Sequence, residues 1–221
     1  MSTIEPLKTE PVHPAPVKNY SAAIRLWHWL NAIVISGSLI TVLINSTILN
    51  TRGSAPTVLS AMQRDSANVT LKQARTAVHA LNDKVWDVHI WFGYFLAALL
   101  LLRLIAELTQ TADQKFIRRF RDLWKQFFYI KNQREPVRHA LVVKSIYVAF
   151  YITLVVIVCT GLSLAFDDVL PFMKNIGHDV KEIHGFCMYL VLAFITVHIV
   201  GVFLAERKDS KGIVSDMING G

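Results

Sequence analysis

A chain of 221 residues with 53% apolar side chains and a mean hydropathy of +0.40 is richer in apolar residues than ordinary soluble domains. A soluble all-helical domain would show shorter and more amphipathic runs than the four described below. The net charge of +7 raises the nucleic-acid class, but the basic residues gather beside apolar runs, as solvated flanks next to anionic lipid do, and no nucleic-acid partner is expected.

Residues 1–20 are polar, with Pro6, Pro11, Pro14 and Pro16, and read as a mobile cytoplasmic arm that carries no cleavable signal peptide. The first apolar run, Leu26 to Leu49, is long enough to cross a hydrocarbon core, which takes roughly 20 helical residues. A polar segment, 51–84, follows; within it Val69, Leu71, Ala74, Val78 and Leu81 have helix-compatible spacing over Val69 to Asn82, suited to the membrane surface or to a partner. The second run is Trp86 to Leu108. After it comes a basic connection in which Phe116, Phe120, Leu123, Trp124, Phe127 and Phe128 recur at helical spacing among arginines and lysines. An interfacial amphipathic helix or a helix packed beneath the bundle explains that pattern equally well. The third run is Ile146 to Phe166 and the fourth Ile183 to Ala205, with a short polar tail, 206–221, beyond. The expected fold is thus an all-α membrane bundle of four transmembrane helices over 21–205.

Charge orients it. The connection between the second and third runs carries Lys115, Arg118, Arg119, Arg121, Lys125, Lys131, Arg134, Arg138 and Lys144 against Asp113, Asp122 and Glu135. Basic residues beside spans stay in the cytoplasm. This connection and both termini are therefore expected inside, with the segments after the first and third spans outside.

Of the eight histidines, His13, His79, His139 and His178 fall outside the spans, where a solvated histidine needs no explanation. His28, His89, His184 and His198 fall within them, and an intramembrane ionisable group is a functional candidate by default. Each taken alone could simply hydrogen-bond a neighbouring helix. Together they form two levels, with His28 and His198 toward the inside and His89 and His184 toward the outside, each level drawing on two helices. Fourteen residues separate His184 from His198, which puts them on one face of a helix about 21 Å apart. Bis-histidine coordination of a flat macrocycle needs two imidazoles from opposite sides, which facing helices supply. Two haems are therefore expected, held by the pairs His28/His198 and His89/His184. Cys159 and Cys187 lie in spans and neither belongs to a Cys-x-x-Cys-His motif, so attachment would be non-covalent. Gly93, Gly185 and Gly201 lie close in sequence to these histidines and suit either room for a macrocycle or close helix packing. Gly161 on the third span, which has no histidine, suits close contact.

The motif Arg25-Leu26-Trp27-His28-Trp29, His89 early in the second span, the His184/His198 separation and the tail from Glu206 through Ile213-Val214-Ser215-Asp216-Met217-Ile218-Asn219-Gly220 resemble the membrane cytochrome b subunits of nickel-iron hydrogenases, with the related formate dehydrogenase and thiosulfate reductase subunits. The tail looks most similar to the hydrogenase type. The long segment after the first span and the short loop before the fourth depart from that pattern. The resemblance implies two haem b groups, a periplasmic oxidoreductase partner, quinone as mobile substrate and a bacterial inner-membrane location. It also implies a quinone site near the inner haem, bordered by the connection that holds Asn132, Gln133, Arg134, Arg138 and His139. Arg25 suits either a haem propionate or a positive inside flank. Two rival classes remain: a free-standing di-haem cytochrome that oxidises a small external donor such as superoxide and reduces quinone, and a transition-metal transporter, weakened by scarce carboxylates in the spans.

Overall fold

The computed structural model describes residues 21–109, 134–167, 169, 173–208 and 212–220, with backbone alone for 134–140, 173, 174 and 208. The arm over residues 1–20, with His13, and the amphipathic pattern from Phe116 to Phe128 lie outside the described residues, as does the side chain of His139. Six helices make up the described chain: α1 (Ala22–Ser46), α2 (Thr51–Arg64), α3 (Leu71–Thr109), α4 (Arg134–Ala165), α5 (Met173–Lys208) and α6 (Ile213–Asn219). Four of them, α1, α3, α4 and α5, are long and apolar enough to cross a membrane.

Local chemistry sets several boundaries. Ser21 caps α1 by accepting from the Ile24 amide, and the helix stops at Ser46, short of Leu49, because Asn50 turns the chain and caps α2 through the Arg52 amide. Before α3, Thr70 and Gln73 form a reciprocal cap: the Gln73 carbonyl oxygen accepts from the Thr70 amide at 2.8 Å, and the Thr70 hydroxyl accepts from the Gln73 amide at 3.4 Å. From there α3 runs unbroken for 39 residues. The helix anticipated over Val69 to Asn82 is therefore not a separate surface helix; it is the first part of the second span's own helix. At about 1.5 Å per residue α3 is about 58 Å long, far more than the roughly 30 Å of a hydrocarbon core. Its first turns project beyond the bundle and pack on α2 through Ala55, Ala74 and Val78, all almost fully buried.

Contacts along the helices fix their directions. Trp27 reaches Leu99, Thr41 reaches His89 and Asn45 reaches Asn82, so α1 and α3 are antiparallel. The same reasoning holds for α3 and α4, through Tyr94 with Phe166 and Arg103 with Tyr151. It holds again for α4 and α5, through Thr160 with His184 and Tyr147 with His198. The result is an up-down-up-down bundle with a hairpin end, carrying α2, and a tail end, carrying α6. Close backbone packing runs α1 on α3, α3 on α4 and α4 on α5, whereas α1 and α3 approach α5 much less closely.

The bundle is turned inside out relative to a soluble one. On α1 the buried face holds Asn31, Val34, Thr41 and Asn45, while Leu26, Ile33, Ile40 and Leu43 are exposed. Lipid tails are as apolar as leucine, so burying leucine between helices gains little there, and hydrogen-bonding polar residues go to the helix interface instead. Asn31 donates to the Trp27 carbonyl at 2.8 Å. The small apolar core, Val34, Leu96, Leu100 and Leu154, sits midway between the two ends, where α1, α3 and α4 meet.

Candidate functional site

The four intramembrane histidines come together as two pairs at opposite ends of the bundle. His28 of α1 faces His198 of α5 with ring centres 6.1 Å apart and planes at 50°. His89 of α3 faces His184 of α5 at 6.3 Å and 80°. The helices that carry each pair are the ones whose backbones stand apart, so the rings meet across a gap between helices. Imidazole nitrogen bonds a transition metal at about 2 Å, and the ring centre lies about 1 Å further on, so two imidazoles on opposite sides of one metal have centres about 6 Å apart. Both pairs match that separation. They are pairs and not larger clusters: among the described residues no group of three or more metal-ligating side chains converges.

The hairpin-end pair is held by hydroxyls. His89 Nδ1 lies 2.9 Å from Thr41 Oγ1 and 3.3 Å from both the hydroxyl and the carbonyl of Ser38, while His184 Nδ1 lies 3.0 Å from Thr160 Oγ1. Each threonine already donates its single proton to a carbonyl of its own helix: Thr41 to Ser38 at 2.6 Å and Thr160 to Val156 at 2.7 Å. A hydroxyl so engaged can only accept from the histidine. Nδ1 therefore carries the proton in both rings, and Nε2 keeps its lone pair for a metal. Trp86 meets His89 edge-on at 5.2 Å.

The tail-end pair is held by rings. His198 stacks on Phe194 at 5.7 Å with planes 12° apart, and Tyr147 stands 6.4 Å away. Trp29 meets His28 edge-on at 5.3 Å. His28 Nδ1 is buried without a hydrogen-bond partner among the described residues.

Two sets of residues beside these pairs escaped the sequence reading. Ser38, Thr41 and Thr160 are hydroxyls inside apolar runs, and hydroxyls there commonly bond their own helix, so nothing in the sequence marked them. Arg103 and Glu107 did carry a signal, being ionisable and one turn apart within the second span. They pair at 3.5 Å, and Arg103 also donates to the Tyr151 hydroxyl at 3.4 Å and lies over the Trp27 ring at 5.9 Å. Trp27 in turn donates to the Leu99 carbonyl at 3.0 Å, which places the cluster at the level of His28.

Arg25, weighed as a propionate partner, is engaged with the tail: its Nη1 donates to the Ile218 carbonyl at 3.3 Å, beside a Trp29 indole bond to the Met217 carbonyl at 3.2 Å. The tail is a structured latch, whose first amides, Gly212 at 2.8 Å and Val214 at 3.2 Å, bond the Glu206 carboxylate. Among the described residues, a Cβ at Gly93, Gly185 or Gly201 would meet nothing within 4 Å, so close packing against those residues is not what these glycines serve. Gly161 is, since it lies against the His184 ring. His79 and His178 sit exposed at the surface beside Asp83 and Glu182, in keeping with their exclusion from the constellation.

An apolar four-helix bundle with histidines facing in pairs at its two ends has the architecture of a membrane cytochrome. The chain belongs to the prokaryotic cytochrome b561 family, whose sequence model matches residues 19–220. It is 25% identical over 231 aligned residues, covering 91% of this chain and 86% of the relative, to a protein of Rhizobium leguminosarum bv. viciae described as a probable Ni/Fe-hydrogenase B-type cytochrome subunit. No solved structure matches it. The protein is accordingly a membrane electron-transfer cytochrome of the b type, a class whose cofactor is haem b.

Proposed function

We propose that this chain is a di-haem membrane subunit that carries electrons between an oxidoreductase docked at its hairpin end and quinone at its tail end. His89 and His184 would hold one haem b, and His28 and His198 the other. The observation that carries this reading is the separation of the ring centres, 6.1 and 6.3 Å, which would let the two imidazoles of each pair hold one haem iron between them. Haem, when bound, supplies the one-electron chemistry. The chain's own work is to present a lone pair from each side, to keep water out with apolar helices and to hold the sites about 21 Å apart along α5.

A hydrogenase of the nickel-iron type is the partner that the similar Rhizobium protein suggests. The projecting α2–α3 hairpin offers such a partner a formed surface, with Arg52, Arg64, Lys72, Arg75 and Lys84 all exposed. The same five cations favour a second reading, a free-standing cytochrome that draws in a small anionic donor such as superoxide. The basic flanks argue for an inner-membrane orientation with the hairpin end outside and both termini in the cytoplasm.

Pyridine haemochrome analysis of the purified chain tests the central claim. About two haem b per chain are expected, extractable with acid-acetone; one haem or none overturns it. Reporter fusions at Ala67 and Asn132 should fall on opposite sides of the membrane, with Ala67 outside. Affinity purification from native membranes separates the two readings: a stoichiometric oxidoreductase supports the first, and a lone cytochrome reduced by superoxide supports the second.

A further inference from the structure

The two pairs differ in what lies behind each imidazole. At the hairpin end both Nδ1 protons go to oxygen: that of His89 to Thr41 Oγ1 and the Ser38 carbonyl, that of His184 to Thr160 Oγ1. At the tail end His28 Nδ1 has no partner among the described residues, and His198 is flanked by the Phe194 and Tyr147 rings. A ligating imidazole that donates its second proton becomes more basic at the ligating nitrogen. A more basic axial ligand favours the ferric over the ferrous state and so lowers the reduction potential.

We propose that Thr41 and Thr160 are positioning residues that hold the hairpin-end haem at a lower potential than the tail-end haem, so that electrons run downhill from the hairpin to the tail. This rests on the di-haem reading above. One electron leaves the hairpin-end site and one arrives at the tail-end site, while the imidazoles and hydroxyls keep their protons. The geometry gives the threonines little freedom to act otherwise. Each hydroxyl is anchored to its own helix by the bond it donates, so its lone pair stays aimed at the histidine. The two threonines come from different helices, α1 and α4, and grip the pair from both sides. Gly161, next to Thr160, lets the His184 ring come close enough to α4 for the bond to form, since a Cβ there would stand 3.0 Å from Cε1 and 3.5 Å from Nδ1.

Thr41→Val and Thr160→Val keep the side-chain shape and remove the acceptor, and Thr→Ser at either position restores it. Loss of an outer-shell partner commonly changes metal affinity by tenfold or more. A tenfold loss of ferric preference is a rise of about 59 mV for a one-electron couple. The test is a spectroelectrochemical titration of the purified full-length cytochrome, resolved into its two components, with low-spin ferric EPR as a second readout. Each valine variant should raise the lower-potential component by about 59 mV and alter its EPR signal, leave the upper component in place, and revert in the serine variant. Thr160→Val carries the test alone should Thr41→Val fail to assemble. Unchanged midpoints with both haems present overturn the proposal, as does an equal shift of both components. Loss of the lower component in every valine variant also overturns it, because the hydroxyls would then serve assembly and not potential. A wild-type protein with no haem, or one component only, instead refutes the di-haem reading beneath it.

Discussion

Gly161 and His184 touch: the ring of the histidine presses toward the point where a side chain on residue 161 would begin, with Cε1 3.0 Å from it. Gly161→Ala must push the ring by a few tenths of an ångström, and overpacking of this kind costs about 1–3 kcal/mol. We expect a perturbed hairpin-end redox component and an intact tail-end one. Gly93→Ala, whose added Cβ meets no atom of the described residues within 4 Å, is the control for helix packing. Redox titration of both variants, with melting temperatures in detergent, checks the contrast.

Removing histidines one at a time should sort the four by pair and not by helix. His184→Ala and His89→Ala are expected to abolish the same spectral component, and His198→Ala and His28→Ala the other, although His184 and His198 share α5. His79→Ala and His178→Ala should leave both components, since these side chains are 68% and 81% exposed. Redox titration of the six variants in membranes decides; loss of one component by both His28→Ala and His89→Ala would refute the pairing.

Arg103 and Glu107 are only 25% and 19% exposed, so each charge needs partners in the protein in place of water. Taking away one partner of a largely buried ion pair costs more than taking away both. Arg103→Met and Glu107→Gln should each destabilise the bundle, and the double variant should recover part of the loss, with a coupling of about 0.5–3 kcal/mol. Denaturation in detergent, analysed as a double-mutant cycle, gives that coupling directly. A coupling near zero would mean that Tyr151 and the Trp27 ring, not Glu107, hold the guanidinium.

Gly220 ends α6 at φ +91°, and a Cβ on it would lie 2.6 Å from Arg25 Nη1. Gly220→Ala therefore meets both a left-handed backbone, which costs about 1–2 kcal/mol in a residue with a side chain, and a collision with the arginine. The latch should open. Hydrogen exchange over residues 212–220 should accelerate in the variant, while exchange in the core helices α3 and α4 stays as in the wild type.

How much could be read from the sequence depended on whether a feature was local. The four spans and the depth of each histidine follow from hydropathy and helical rise, and rings at one depth, His28 with His198 and His89 with His184, lie 6.1 and 6.3 Å apart. The unbroken α3 was harder to see, because polar Asn82, Asp83 and Lys84 interrupt the apolar pattern although nothing there breaks a helix. Thr41 and Thr160 were invisible as neighbours of histidine, since helix azimuth and tertiary approach, and not spacing, bring them to His89 and His184. The tail looked merely polar because its order comes from Glu206, Arg25 and Trp29, groups that meet only in the folded chain. Glycine was ambiguous in both directions. Gly161 packs against a ring as its place in the third span suggested, whereas Gly93, Gly185 and Gly201 pack against nothing among the described residues.

Because α5 supplies one histidine to each pair, it acts as a ruler, and the spacing between its two marks cannot drift. One residue inserted between His184 and His198 would swing one ring about 100° around the helix and shift it about 1.5 Å along the axis, taking it off its opposite number while the other stayed aligned. Four residues would restore the azimuth to within about 40° but lengthen the interval by about 6 Å. The loops between spans can vary in length without such consequences. Over evolutionary time the segment 184–198 should thus tolerate substitution but neither insertion nor deletion, and the distance between the two sites should stay the same whatever assembles on the hairpin.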